Sequence, residues 1–235
     1  MIKKFTPFWL LVVFMLMVQI TQSQTVITQW NFNSVPPDAS TATGSVSPSA
    51  GAGIIANIGG NTASFASGAA NSGSSDPATV DNSGWGLTGW PAQGANDKTA
   101  GIRFSASTAG HQNIIVTFDL RHSNTGPRHL QFHYTADITA TTPVWVDFAI
   151  SAATGGDTWF ARSYNLSAIT ALNNNVNAGF RVVAAFEPST AAYAASGTAS
   201  TYAPGGTWRF DMLTVLGTAA GGDVTPPVAQ SFQVS

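Results

Sequence analysis

Apolar and polar residues alternate over short stretches through most of this chain, with the period of a strand rather than a helix. Eight stretches carry the alternation: Val26–Phe32, Gly101–Ala106, Asn113–His122, His129–Thr135, Val144–Ile150, Thr158–Tyr164, Gly179–Phe186 and Thr207–Leu216. Turn-forming residues separate them, which predicts an all-β chain, an antiparallel β-sandwich of the jelly-roll type. Only Leu166–Leu172 has helical spacing, about two turns capped by Asn165 or Ser167. Residues 38–79 are rich in Ser, Ala, Gly, Thr and Asn around one apolar island, Ile54–Ile58. That composition predicts turns and exposed loops, because Gly and Asn accept positive φ and Ser/Thr compete for backbone bonds. Asn82-Ser83-Gly84-Trp85-Gly86 likewise reads as a turn.

One pair of strands suggests a site. Ile114, Val116, Phe118 and Leu120 share a face, and so do Leu130, Phe132 and Tyr134 beyond the loop Ser123–Pro127. Read as a hairpin, this sets Leu120 across from Leu130 and Phe118 across from Phe132. The polar side then pairs Arg121 with His129, Asp119 with Gln131 and Thr117 with His133. Arg103, Trp145 and Asp147 extend it if their strands are neighbours. Arginine forks, amides and imidazoles hydrogen-bond sugar hydroxyls, and an indole offers a flat apolar platform. Asp119, Arg121, His129, Gln131, His133 and Trp145 are therefore the candidate ligand-binding residues. The competing reading is a solvated antiparallel face with cross-strand ion pairs. A shared zinc is disfavoured, since His129 and His133, four apart on a strand, are roughly 13 Å from one another.

Composition narrows the chemistry. The chain has no cysteine, which excludes disulfides, thiolate metal sites and a cysteine nucleophile. Its nine Lys+Arg and eleven Asp+Glu give a net charge of −2, and only 9% of residues are charged, so charges gathered on one hairpin are a concentration. That balance excludes nucleic acid as a partner. Glu187 is the only glutamate, it precedes Pro188, and no second acid accompanies it for a two-carboxylate glycosidase.

The two ends point to export. Lys3 and Lys4 precede an eleven-residue apolar run, Phe8–Val18, short of the roughly twenty residues that span a bilayer. Thr21 and Ser23 lie at −3 and −1 of a cut before Gln24. Residues 1–23 thus read as a signal peptide with no stable membrane span, the rival being an uncleaved anchor. The protein is then secreted or at the cell surface. Residues 24–218 form the sandwich domain, and Gly221–Val228 an extended linker fixed by paired prolines.

Asp223-Val224-Thr225-Pro226-Pro227 resembles the opening of the tandem Ig-like repeats of bacterial surface proteins, so 219–235 read as a linker and the truncated start of such a domain; a ragged tail is the alternative. Arg121 with Gln131-Phe132-His133 is loosely similar to the Arg and Q-x-H elements of jelly-roll polysaccharide lyases, whose companion tyrosine motif is absent. Trp208-Arg209-Phe210-Asp211 through Val215 resembles the final strand of carbohydrate-binding and MAM-type jelly rolls. That resemblance implies a structural calcium on Asp211 beside the first strand, with Asn33 or Asp38 as further oxygen donors; Met212 departs from the pattern. Ile27–Asn33, Ser107–Ile114, Phe118–Gly126, Ala178–Val183 and Thr207–Asp211 together resemble a module found near the N-terminus of large exported bacterial proteins. The resemblance implies a non-catalytic accessory module that binds glycan or cell-envelope material and continues into further domains of the same polypeptide. A purely structural spacer and an acidic-polysaccharide lyase are the alternatives.

Overall fold

In the computed structural model, which describes residues 23–221, the alternating faces build two antiparallel sheets around one shared core. The strands are β1 (Thr25–Trp30), β2 (Ala50–Gly51), β3 (Gly53–Ile58), β4 (Thr62–Ser67), β5 (Ser83–Thr88) and β6 (Gly101–Ala106). They continue as β7 (His111–His122), β8 (His129–Thr135), β9 (Val146–Ala152), β10 (Thr158–Asn165), β11 (Gly179–Ala185) and β12 (Trp208–Ala219). The signal-peptide and Ig-like readings fall on 1–22 and 222–235, outside the described residues. Among the described residues no helix is long and apolar enough to cross a membrane.

The five-stranded sheet runs β3-β6-β11-β8-β9. The seven-stranded sheet runs β10-β7-β12, and the far edge of β12 is divided. Trp208–Phe210 pair with β5, which carries β4, and Leu213–Gly217 pair with β1, which carries β2. A bulge at the changeover puts Met212 at φ 46°, the left-handed region that a non-glycine residue rarely occupies.

The predicted hairpin does not form. β7 pairs with β10 and β12, whereas β8 pairs with β11 and β9. Leu120 lies beside Phe160 and Phe210, and Leu130 beside Ala184 and Ser151. The link Ser123–Arg128 crosses from one sheet to the other, so the two apolar faces meet across the core instead of side by side. Both arrangements satisfy the same alternation. The crossing is pinned by the Pro127 carbonyl, which accepts from His122 Nδ1 at 2.8 Å, Trp208 Nε1 at 2.8 Å and Ser196 Oγ at 3.1 Å. Between the sheets, Phe132 stacks on Tyr164 with ring centroids 4.3 Å apart.

Two further expectations change. β3, β4 and β5 occupy the region read as loops and a turn. Trp85 and Leu87 of β5 are buried in the core, while Gly84 lies under the Arg209 side chain, whose Cγ would be 2.7 Å from an added Cβ. That glycine marks a close crossing within a strand, not a turn. The expected helix shrinks to one 3₁₀ turn, Thr170–Leu172, since Ile169 before it is not helical (φ −94°, ψ 83°).

His122 ends β7 fully buried, edge-on to Trp208, and its Nε2 has no partner. Burial drives its pKa down to about 3. The unfolded chain, near 6.5, accepts a proton that the folded chain refuses. This contribution to stability is complete above about pH 6.5 and is lost as pH falls toward 3. Asp211, raised by burial to about 8, has the opposite sign: its contribution is lost as pH rises from about 4 through 8. Comparison with His122→Phe therefore isolates the imidazole. In urea unfolding, wild-type stability falls relative to the variant by about 2 kcal/mol between pH 7.5 and 5. Parallel profiles would show that His122 is protonated without penalty.

Candidate functional site

Strand register assembles one polar row on the outer side of the five-stranded sheet. Ala56, Arg103, Arg181, His133 and Asp147 are successive cross-strand partners on β3, β6, β11, β8 and β9. Each side chain points outward because its neighbours in sequence, such as Phe104, Phe180 and Phe132, fill the core. Trp145, just before β9, joins the row: the Arg181 guanidinium carbon lies 4.8 Å from its ring centroid, a cation–π contact. Gln131 and Val183 form the next row.

Within the row, His133 Nε2 is 2.7 Å from Asp147 Oδ1, and Lys98 Nζ meets Asp147 Oδ2. Burial first, then the Arg181 charge, push the His133 pKa down to about 4 against the pull of Asp147. The imidazole is therefore neutral at pH 7, and the 2.7 Å contact assigns its proton to Nε2. The 3.4 Å approach of Arg181 Nη2 to that same nitrogen then offers the guanidinium no acceptor. Asp147 is held below the usual carboxylate range, first by the Lys98 hydrogen bond. Burial lowers Arg181 as well. A depression of about 250 Å³ opens beside Arg103, lined also by Ile54, Ala56, Ser105, Ile138 and Thr139.

The sequence-derived residues divide between the two sides of the sandwich. His129, Gln131, His133 and Trp145 belong to this face, with Arg103 and Asp147 extending it as expected. His129, Gln131 and His133 are buried at 8%, 5% and 1% exposure, so the accessible groups are Arg103, Trp145 and Asp147. Arg181 and Lys98 were not foreseen. The outward phase of Arg181 was readable from Phe180 and Val182, but its position beside His133 needed the strand order.

Asp119 and Arg121 lie on the opposite face, outside the seven-stranded sheet, because β7 and β8 are in different sheets. There the segment 68–82 crosses the strands as a strap. Asp119 Oδ2 accepts from Ser75 N at 2.6 Å, and Trp159 Nε1 donates to Ala70 O at 2.8 Å. Arg121 Nη2 holds Asp157 Oδ1 at 2.7 Å, and Asn71 Nδ2 donates to Asp157 O. These two residues fasten the strap. The same division separates Arg121 from Gln131 and His133, so the lyase-like elements do not converge.

Asp211 is fully buried at the β12 bulge, where Ser74 Oγ donates to Oδ2 at 2.6 Å and Met212 N to Oδ1 at 2.8 Å. Desolvation is the main cause of its raised pKa, so without a cation the carboxyl is largely protonated at neutral pH. Asn33 reaches the same strap, but its oxygen accepts from Ser83 N and its nitrogen donates to Asp76 Oδ2. Asp38, exposed, instead bonds Thr43 and Ser40. The amide oxygen left over is that of Asn82, buried and without a partner. A Cβ on Gly68 would lie 1.7 Å from Asn82 Oδ1 and 2.5 Å from Asp211 Oδ2, so the two oxygens face one another across a missing side chain. Among the described residues no three His, Asp or Glu side chains converge on a metal position. The oxygens that face one another here are the Asp211 carboxylate and the Asn82 amide, hard donors of the type that calcium takes with six or more oxygens in all.

No family model matches the chain. No curated protein matches it. Among solved structures it is similar to the CBM22-1–GH10 modules of endo-1,4-β-D-xylanase 10B from Clostridium thermocellum, complexed with xylohexaose: 12% identity, TM-score 0.43, over 72% of this chain and 27% of that one. It is similar to the CBM22-2 xylan-binding domain of Xyn10C from Paenibacillus barcinonensis, at 8% identity and TM-score 0.45, over 71% and 91%. A third is the K1 cleaved adhesin domain of Lys-gingipain from Porphyromonas gingivalis W83, at 9% identity and TM-score 0.39, over 73% and 100%. The chain thus spans about a quarter of the xylanase chain.

Proposed function

We propose that this chain is a non-catalytic accessory module that binds glycan on the outer face of its five-stranded sheet. The observation that carries the reading is the Arg181–Trp145 stack set beside the exposed Arg103 and Asp147. It combines a flat apolar surface with donors and acceptors on rigid strands, the composition that sugar rings and their hydroxyls demand. Export, and attachment to further domains of a longer polypeptide, belong to the same proposal and rest on the leader-like and Thr-Pro-Pro sequences.

The test is affinity electrophoresis of the full chain through a panel of soluble polysaccharides. At least one polymer retards the wild type saturably, Trp145→Ala weakens that binding at least about tenfold, near 1.4 kcal/mol, and Arg121→Gln on the opposite face leaves it unchanged. A folded protein that no polymer retards would instead support a spacer.

A structural calcium at Asp211 and Asn82 completes the proposal. It is favoured by the unpartnered Asn82 oxygen facing a buried carboxylate. There it would tie the strap to β12 and take no part in ligand contact.

A further inference from the structure

We infer that the glycan taken by this face is anionic, a polysaccharide bearing carboxylates, a conclusion that rests on the glycan-binding reading and names its ligand class. Arg103 and Arg181 are direct cross-strand partners. Residues so placed hold their Cβ atoms about 4.5–5.5 Å apart, and like charges there destabilise a sheet. Neither guanidinium has a carboxylate within ion-pair distance among the described residues, whose ion pairs are Lys98–Asp147, His133–Asp147, Arg121–Asp157 and Arg128–Glu187. The nearby acid, Asp147, is already engaged by Lys98 and His133. At the far end of the sheet Asp97 accepts from Phe186 N, and Glu187 faces Arg128. The centre of the row is therefore cationic on a chain whose formal charge is −2.

The geometry suits a carboxylate better than a neutral hydroxyl. Arg181 is fixed in orientation by Trp145. His133 cannot relieve it, because its proton-bearing Nε2 faces the guanidinium. Arg103 is exposed at the rim of the apolar depression. Two planar forks side by side can take a carboxylate between them through charge-assisted bonds, while the depression beside Arg103 takes the ring. A bound uronate would replace a repulsion with two attractions, a gain that no neutral sugar supplies.

The experiment measures binding of the full chain to polygalacturonate, its methyl ester, its carboxyl-reduced polymer, neutral xylan and dextran sulfate. The expected result is saturable binding to polygalacturonate, at least about tenfold weaker for the esterified and reduced polymers, and weakened by added salt. Arg103→Gln removes that preference while melting no lower than the wild type, since it relieves the cross-strand repulsion, and Arg103→Lys keeps it only in part, because an ammonium lacks the fork. Equal binding to neutral xylan, or to the reduced polymer, would overturn the anionic assignment and leave the glycan reading standing. Equal binding to dextran sulfate would overturn the carboxylate class in favour of general polyanion attraction. Binding to none of the polymers would overturn both readings.

Discussion

Replacing Trp208 by Ala is expected to destabilise the protein by about 3–5 kcal/mol, the range for removing a fully buried large aromatic side chain. The indole is 0% exposed, packs at 4.6 Å from Trp90 and lies against His122 and Phe210. Its Nε1 also donates to the Pro127 carbonyl, the acceptor that holds the crossing between the two sheets. The substitution removes packing and a buried hydrogen bond at one place, and β12 makes full collapse around the void difficult because it is paired on both edges. Trp208→Phe keeps most of the packing, and the carbonyl retains its bonds from His122 and Ser196, so its loss is smaller, about 1–2 kcal/mol. For a domain of this size the alanine variant melts roughly 10 °C lower. A loss below about 1 kcal/mol in urea unfolding would mean that the crossing does not depend on the indole.

Removing calcium should have the next largest effect. With the ion at a hundred to a thousand times its dissociation constant, a site present only in the folded state adds about 3–4 kcal/mol. Stripping the full chain with EGTA then lowers the melting temperature by roughly 5–15 °C, and added calcium restores it. Asp211→Asn leaves a folded protein that no longer responds to calcium. Gly68→Ala has the same consequence by another route, since its Cβ would occupy the space between the two oxygens. A wild-type melting curve indifferent to both EGTA and calcium would remove the metal from the proposal.

Much of the fold was legible because strands with one buried face write their phase into the sequence. Gly101–Ala106 and His129–Thr135 coincide with the observed strands residue for residue. Strands poor in bulky apolar residues were not legible. In β4 and β5, small side chains lie beneath Arg209 and beside the strap, and composition alone made them resemble turns. The site was half legible for a different reason. Alternation fixed which side of each strand is polar, but not whether β7 and β8 meet edge to edge or face to face. Asp119 and Arg121 were therefore grouped with residues on the other side of the sandwich, while Arg181, in the correct phase, had no assigned neighbour. The oxygen of Asn82 became visible only once the strap had been placed over Asp211.

The divided edge of β12 also governs the order in which the molecule can assemble. The five-stranded sheet draws all its strands from residues 53–185, whereas the other sheet consists of three separate ribbons, β10–β7, β5–β4 and β1–β2, until β12 joins them. A nascent chain can complete the first sheet and two of the ribbons that cover its inner, aromatic face, but those ribbons are tied into one sheet only once residue 219 is free. Every partner of β12 is distant in sequence, which makes closure late and slow. Until then the covering layer is a set of unjoined ribbons, and β12 acts as the clasp that turns them into one wall.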